Sequence, residues 1–128
     1  MAIQRDFDMI GRYGCYLLCL LRVANKEDQV HQYYKLYNKL GYIDEECTIL
    51  RPDLIIQDLL HKKVKVSKHP GAARSEWLSD KKKYIVVNRW YNPDTGKAHF
   101  ALPNWDPYGD SVTIKNGMIE SVRLYEFV

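Results

Sequence analysis

The sequence predicts an α+β protein, with helices in the first half of the chain and antiparallel strands in the second half. Two observations support this prediction. Apolar residues recur at helical spacing in the first half, whereas β-branched and aromatic residues dominate the later segments. A length of 128 residues favours a single domain that spans residues 1–128.

Three helices are predicted in the first half, after an irregular lead-in over residues 1–13. The segment from Cys15 to Ala24 is apolar except for one arginine, which is typical of a buried helix. A second helix is predicted from about Lys26 to Leu40, where an apolar stripe precedes Gly41, a favoured helix stop. The third helix is predicted to begin at Pro52, because proline suits the first helical turn.

The second half changes character and predicts strands. A short strand is predicted from Val64 to Val66, followed by a turn at Pro70-Gly71 and a helical turn from Ser75. Two stronger strands are predicted over Tyr84 to Tyr91 and Ala98 to Leu102, because β-branched and aromatic residues fill them.

Turn residues predict how the later strands connect. Asn92 to Gly96 is a cluster of turn-forming residues between two predicted strands. Asn116-Gly117 is a strong hairpin signal, and it is flanked by the segments Ser111 to Lys115 and Met118 to Phe127. The sequence therefore predicts that these two flanking segments pair as the last hairpin.

One cysteine lies where a thiol nucleophile is expected. Cys15 follows Gly11 and Gly14 and begins the first apolar helix. The thiolate is the reactive form, and the backbone N–H groups and positive dipole end of a helix start favour an anion. The glycines permit a sharp bend and leave room for a substrate chain. We expect Cys15 to be a nucleophile and the helix-start amides to form part of an oxyanion hole.

A cysteine nucleophile needs a histidine base within hydrogen-bond reach. Polar and basic neighbours predict that His31, His61 and His69 lie at the surface. His99 differs, because it opens the apolar strand segment Phe100-Ala101-Leu102. His99 is therefore the predicted base.

The third member of such a site is an acid or amide that orients the histidine. If Pro103-Asn104 form a tight turn, Asp106 lies almost opposite Ala101 and close to His99. Asp106 is the predicted orienting residue, and the alternative is a plain turn in which this aspartate bonds its own backbone. Weaker candidates for the orienting role are Asn88, Asp94, Asn104 and Asp110.

These three residues together resemble the papain-like cysteine peptidases, and most specifically their small bacterial double-glycine-leader peptidase-like branch. Cys15 heads an apolar helix, His99 lies in HFAL and Asp106 lies in WDPYGDS. The resemblance implies a papain-like fold, with N-terminal helices packed on a C-terminal antiparallel sheet. It also implies that Cys15 is the nucleophile, His99 the general base and acid, and Asp106 the orienting residue. The segment from Asn116 to Tyr125 is similar to small uncharacterised bacterial and phage-encoded proteins.

The resemblance also concerns the oxyanion donor. Papain-like proteins usually carry a glutamine upstream of the cysteine, and Met9, which has no donor, occupies that position here. Gln4 is the only upstream glutamine, and Arg12 or Tyr13 is a substitute donor. Losing one oxyanion donor costs roughly 10²–10³ in rate. The second hypothesis is therefore a papain-like binding module without turnover, of the kind a phage encodes to target a host protein.

The remaining thiols and histidines do not predict a metal site. Cys19 is expected in the helix core and Cys47 in a loop or at a strand edge. A zinc site built from Cys15, Cys19, His61 and His69 lacks the paired close spacing of structural zinc. No metal or other cofactor is predicted. A peptide or protein substrate is expected, while the identity of the substrate and the oligomeric state are left open.

Charge and hydropathy limit the other partners. The net charge is +3, and the basic excess lies in His61 to His69 and Lys81 to Lys83. Lysine clusters attract phosphate, but no nucleic-acid-binding motif accompanies them, so we expect a solvated edge strand instead. Met1 to Ile10 is too charged for a signal peptide, and no apolar run approaches the ~20 residues of a membrane span. A cytoplasmic protein is expected.

Overall fold

The computed structural model describes residues 14–109 and 112–128, and its contacts divide the chain into two compact units. One unit ends at His61 and the other runs from Lys62 to Val128. Along the chain, helices precede a four-stranded antiparallel sheet, which confirms the predicted α+β class. The predicted lead-in lies outside the described residues. The single domain and the papain-like arrangement of helices and sheet stay predictions.

Three helices form the described part of the first unit. Helix α1 spans Cys15–Val23, α2 spans Val30–Leu40 and α3 spans Pro52–Leu60. The first and third begin where the sequence predicts. The second begins at Val30 rather than near Lys26, because a separate 3-10 turn at Glu27–Gln29 precedes it.

Gly41 ends α2 in the left-handed conformation, with φ 79°. Its N–H donates to the carbonyl oxygen of Asn38 at 3.1 Å, and the next N–H, of Tyr42, donates to that of Tyr37 at 2.8 Å. These two bonds make up a Schellman motif, which satisfies carbonyl groups that the helix end leaves without an intrahelical partner. The prediction that Gly41 stops this helix is confirmed.

Replacing Gly41 with alanine is expected to lower the free energy of unfolding by about 1–2 kcal/mol, because a Cβ is unfavourable in the left-handed region. No atom lies within 4 Å of the position of the added Cβ, so steric contact adds nothing to this cost. Gly41→Asn is the matched control and should lose less, since asparagine tolerates this conformation better. Urea unfolding measures both variants, and equal losses would contradict the backbone explanation.

The core of the first unit combines apolar packing with one buried hydrogen bond. The Tyr37 hydroxyl on α2 donates to Oδ2 of Asp58 on α3 at 2.7 Å and so links the two helices. Among the described residues of this unit, the fully buried side chains include Leu17, Cys19, Leu20, Leu21, Tyr37, Ile43, Ile55 and Ile56.

The second unit is built on a sheet of four strands, β1 at Val64–Pro70, β2 at Tyr84–Asn92, β3 at Lys97–Ala101 and β4 at Met118–Phe127. The strand order is β1-β4-β2-β3, and every neighbouring pair is antiparallel. The first strand extends well beyond the predicted Val64 to Val66, because β4 pairs with it through Pro70.

The basic stretch lies on an edge of this sheet. Strand β1 is the outermost strand on one side, and its Lys65 and Lys68 side chains are exposed. Exposed lysines on an edge strand discourage further strand pairing. The expected edge strand is therefore confirmed for the stretch from His61 to His69, whereas Lys81 to Lys83 form an exposed turn before β2.

Two short helices complete the second unit, and one of them corrects a prediction. Helix α4 spans Ser75–Ser79, as expected, and helix α5 spans Val112–Lys115. The predicted strand from Ser111 to Lys115 is therefore wrong over Val112–Lys115, and Ser111 lies outside the described residues. Both sides of β4 are already paired, with β1 and β2, so a further strand has no place beside it. Asn116-Gly117 ends the short helix instead, and the Gly117 N–H donates to the Ile114 carbonyl oxygen at 3.3 Å.

One face of the sheet carries an apolar cluster under α4. Trp77 from this helix packs with Val86 of β2 and with Val122 and Leu124 of β4. Residues directly opposite each other in antiparallel strands point to the same face. By this rule the register assigns His99 of β3 to the face that carries the cluster.

Candidate catalytic residues

Cys15 lies at the start of a helix, as the sequence predicts. It is the first residue of α1 and is half-buried, and Gly14 occupies the preceding cap position. The Leu18 N–H donates to the Gly14 carbonyl oxygen at 2.8 Å, which closes the first helical turn. Cys15 therefore lies at the N-terminal end of α1, where the positive end of the helix dipole favours an anion.

The oxyanion donors suggested by the resemblance cannot be placed. Gln4, Met9 and Arg12 all lie among residues 1–13, outside the described part of the chain, as does Gly11. Their roles stay predictions. The start of α1 at Cys15 does lie within the described residues.

The other two cysteines are buried, as expected. Cys19 lies one helical turn after Cys15 and is fully buried in α1. Cys47 is buried in the loop between α2 and α3, where burial is the largest effect that raises the pKa of its thiol, to about 12. Interactions with Cys15 and Asp44 raise the pKa of Cys47 further. All three cysteines lie within the described residues, and none forms a disulfide.

His99 and Asp106 form a close pair within the second unit. Leu102 and Trp105 exchange backbone hydrogen bonds of 2.8 and 3.3 Å, so Pro103-Asn104 make the predicted tight turn. This turn brings the chain back beside β3, and Nε2 of His99 lies 2.6 Å from Oδ1 of Asp106. The histidine is only 3% exposed, and its bond to Asp106 is partly buried.

The position of the Asp106 carboxylate is fixed by its own turn. Oδ1 also accepts the Tyr108 N–H at 2.9 Å, and the Asp106 carbonyl oxygen accepts the Gly109 N–H at 3.1 Å. Gly109 adopts φ 69°, which favours glycine. The alternative reading of this segment, an aspartate that bonds its own backbone, is thus also correct. Oδ1 of Asp106 therefore takes part both in the turn, through the Tyr108 N–H, and in the contact with His99.

The pair engages one ring nitrogen of His99, Nε2, and Nδ1 is the nitrogen that does not bond Asp106. In the tautomer that donates from Nε2 to the carboxylate, Nδ1 of a neutral ring has a lone pair. The Tyr108 ring lies 5.0 Å from the His99 ring, centre to centre, with a tilt of 30°. These contacts hold the orientation of the imidazole from two sides.

The weaker candidates for the orienting role lie in other environments. Asp94 and Asn104 are exposed turn residues, and Asp110 lies outside the described residues. Asn88 is buried in the central strand β2, and sequence reasoning gave it no more weight than the others. Asn88 differs from the other candidates because it is a polar residue within the apolar pattern of an interior strand.

The other histidines have separate surroundings. His61 is exposed and follows the end of α3 with φ 57°, and His31 is half-buried on α2. His69 is also half-buried rather than fully exposed, since its ring lies 4.7 Å from the Trp77 ring, tilted by 47°, and its Nε2 lies 2.9 Å from the Ser67 hydroxyl. Of these three histidines, His61 is therefore the exposed one, and His31 and His69 are half-buried.

Over residues 14–109 and 112–128, no group of three or more His, Cys, Asp or Glu side chains is arranged to hold a metal ion. In the same ranges, no helix combines the length and apolar character needed to cross a bilayer.

Comparisons of the chain with protein-family models, with curated proteins and with solved structures found no match.

Proposed function

We propose that this chain is a cysteine hydrolase that cleaves an amide, peptide or isopeptide bond with Cys15, His99 and Asp106. The observation that supports the proposal best is the 2.6 Å bond between His99 and Asp106. A buried histidine with one nitrogen held by a carboxylate has the orientation and tautomer of a general base. The position of Cys15 at a helix start supports the choice of nucleophile.

In the proposed reaction, Nδ1 of His99 takes the proton from the Cys15 thiol. The resulting thiolate attacks the carbonyl carbon of the substrate and forms a tetrahedral intermediate. N–H groups at the start of α1 stabilise its oxyanion, and Gln4 or Arg12 is the proposed second donor. His99 then returns the proton to the leaving nitrogen as the C–N bond breaks. Water hydrolyses the acyl-enzyme by the same proton route and releases the thiol.

The proposed substrate is a peptide or protein, and the proposed location is the cytoplasm. The absence of a disulfide among the three cysteines fits a reducing compartment. No metal or cofactor takes part in the proposed reaction, because each proton transfer involves only Cys15, His99, the substrate and water.

Alkylation by iodoacetamide at pH 6 tests the proposed nucleophile. An ordinary thiol with a pKa of about 8.5 is only about 0.3% ionised at this pH, so a thiolate stabilised by His99 reacts on the order of 100-fold faster. Peptide mapping by mass spectrometry gives the rate at each cysteine. Cys15 is expected to react far faster than the buried Cys19 and Cys47, which serve as internal controls.

Equal and slow labelling of the three cysteines would disprove the proposed nucleophile. A complementary test uses Cys15→Ala, which should abolish hydrolysis of peptide substrates while the melting temperature stays unchanged. If Cys15→Ala retains the cellular effect of the protein and its partners, the papain-like binding module without turnover is the correct alternative.

A further inference from the structure

Strand β1 has an open edge. It is the outermost strand on one side of the sheet, and among the strands that the structure describes it pairs only with β4. The register of that pair runs from Val64 opposite Phe127 to Pro70 opposite Ser121. On its other side an edge strand presents a row of backbone N–H and C=O groups that the sheet does not use. Such a row can pair with another extended chain.

Hydrogen bonds just beyond the two ends of β1 show which residues form this row. The Lys63 carbonyl oxygen accepts the Val128 N–H at 3.2 Å, and the Gly71 N–H donates to the Glu120 carbonyl oxygen at 2.8 Å. In antiparallel strands, pairs that exchange hydrogen bonds alternate with pairs that do not. The odd-numbered residues of β1 therefore direct their backbone groups at β4, and the even-numbered residues direct theirs outward. Pro70 has no N–H and ends the row. The outward-facing residues before it are Val64, Val66 and Lys68.

The side chains along this edge are basic. Lys65 and Lys68 are exposed on β1, and Lys62 and Lys63 are exposed in the segment that leads into it. Nζ of Lys62 lies 5.4 Å from the centre of the Phe127 ring. Among the described residues, none of these four lysines forms an ion pair with a carboxylate. The open edge therefore carries positive charge that the described residues leave unpaired.

A second lysine segment lies at the same end of the sheet. The Phe127 N–H donates to the Lys83 carbonyl oxygen at 3.0 Å, on the opposite side of β4 from Lys63. Two acids lie close to this second segment. Glu126 is 3.8 Å from Nζ of Lys83, and the Asp80 carboxylate accepts the Lys83 N–H. Lysines from two distant parts of the sequence therefore meet at one end of the sheet, and their combined field attracts an anionic chain.

The edge fits an acidic polypeptide better than it fits other occupants. If two copies of β1 pair antiparallel about Val66 and Ser67, Lys65 of one copy lies opposite Lys68 of the other, and like charges directly opposite each other are destabilising. A nucleic acid is attracted by the lysines, but its phosphodiester backbone has no N–H donors for the outward carbonyl groups. An acidic polypeptide has both the charge and the backbone groups.

We infer that the open edge of β1 is a docking site for an extended acidic segment of a partner protein, which adds a strand to the sheet. The main chain of this segment bonds the outward N–H and C=O groups of β1, and its carboxylates lie opposite Lys65 and Lys68. Val64 and Val66 are half-buried and favour β-branched residues opposite them. Docking needs only β1, so the inference goes beyond the proposed hydrolysis and does not depend on it.

A peptide with the sequence Glu-Thr-Val-Glu-Val, blocked at both ends, tests this inference. In an antiparallel pair its glutamates lie opposite Lys68 and Lys65, and its valines lie opposite Val66 and Val64. The control peptide has lysine in place of both glutamates. The measurement is the ¹H–¹⁵N NMR spectrum of the Cys15→Ala protein during titration with each peptide. This variant is used so that hydrolysis does not consume the peptide.

The acidic peptide is expected to shift the outward-facing amide signals of Val64, Val66 and Lys68 more than the inward-facing signals of Lys65 and Ser67. The lysine peptide should leave all of them unchanged. An absence of shifts in β1 with the acidic peptide, or an equal response to the two peptides, would overturn the inference.

Lys68→Gln and Lys68→Pro separate charge from backbone pairing. Both remove the ammonium, but only proline removes the outward N–H, and an edge strand tolerates proline where the N–H faces solvent. Lys68→Gln should raise the Kd of the acidic peptide up to about fivefold, as for one cross-strand ion pair. Lys68→Pro should raise it roughly two- to tenfold more, as for one hydrogen bond. Lys97→Gln, at the exposed start of β3, is the control and should leave the Kd unchanged.

Equal Kd values for Lys68→Gln and Lys68→Pro would exclude strand addition, and melting temperatures show that each variant is folded. The other occupants give different results. If a single-stranded oligonucleotide binds this edge and the acidic peptide does not, β1 is a phosphate-binding surface and the inference is wrong. If the same amide signals shift on dilution of the protein without peptide, the occupant is a second copy of the chain, which also contradicts the inference.

Discussion

Replacing His99 with alanine is expected to slow the alkylation of Cys15 by iodoacetamide at pH 6 about 100-fold. Without an imidazolium partner the thiol returns to the behaviour of a free cysteine, which is almost entirely protonated at this pH. Peptide mapping measures the rate at Cys15. His31→Ala is the control, because His31 lies on the amphipathic helix α2 and is expected to leave the rate unchanged. A His99→Ala protein that alkylates at the original rate would exclude His99 as the base.

Asp106→Asn extends the same prediction to the orienting residue. An asparagine amide that donates to Nε2 forces the hydrogen of the neutral ring onto Nδ1, and this tautomer has no lone pair left there to accept the thiol proton. The alkylation rate should therefore fall by an amount close to that of His99→Ala. Asp94→Asn makes the same chemical change in the exposed turn between β2 and β3 and should have no effect. Equal rates for the two variants would contradict the role of Asp106.

Tyr37→Ala is expected to reduce the free energy of unfolding by about 3–5 kcal/mol, the usual cost of removing a buried aromatic ring. Tyr37 is fully buried, and its hydroxyl bonds to Asp58. Tyr37→Phe keeps the ring and should lose only about 1 kcal/mol, the net worth of one hydrogen bond. Tyr33→Phe, on the half-buried neighbouring ring 5.5 Å away, is the control and should cost much less. Urea unfolding gives all three values.

The raised pKa of the Tyr37 hydroxyl also predicts how the free energy of unfolding depends on pH. Burial, followed by the bond to Asp58, raises the pKa of Tyr37 well above its ordinary value. In the unfolded chain this hydroxyl ionises at about pH 10. The stabilising contribution is therefore complete below that pH and decreases as the pH rises above it. Tyr37→Phe should show a smaller alkaline loss of stability than the unchanged protein, and identical alkaline slopes would contradict this assignment.

Most of the local structure could be predicted from sequence, because the signals lie within a few residues of one another. Gly41 ends α2 through its own φ angle and two local hydrogen bonds. Pro52 begins α3 because its ring suits the first turn. The Pro103-Asn104 turn was predictable for the same reason, and with it the approach of Asp106 to His99.

The errors occur where distant segments decide the structure. Asn116-Gly117 is a turn signal in any context, but the segment before it forms helix α5, because both sides of β4 are already paired. Likewise β1 continues to Pro70 because β4 provides partners along that length. Strand length and strand pairing depend on hydrogen bonds to residues far away in the chain, which a local pattern does not contain.

By itself the sequence determined the α+β class, the helix-start position of Cys15 and the approach of Asp106 to His99, since each follows from neighbouring residues. Only the tertiary structure decided that Asp106 holds Nε2 of His99 and that Asn88 lies buried on the same face of the sheet as that histidine. The physical reason is that strand register sets which side chains share a face. Register is fixed by pairing between β2, β3 and β4, and not by the composition of any one strand.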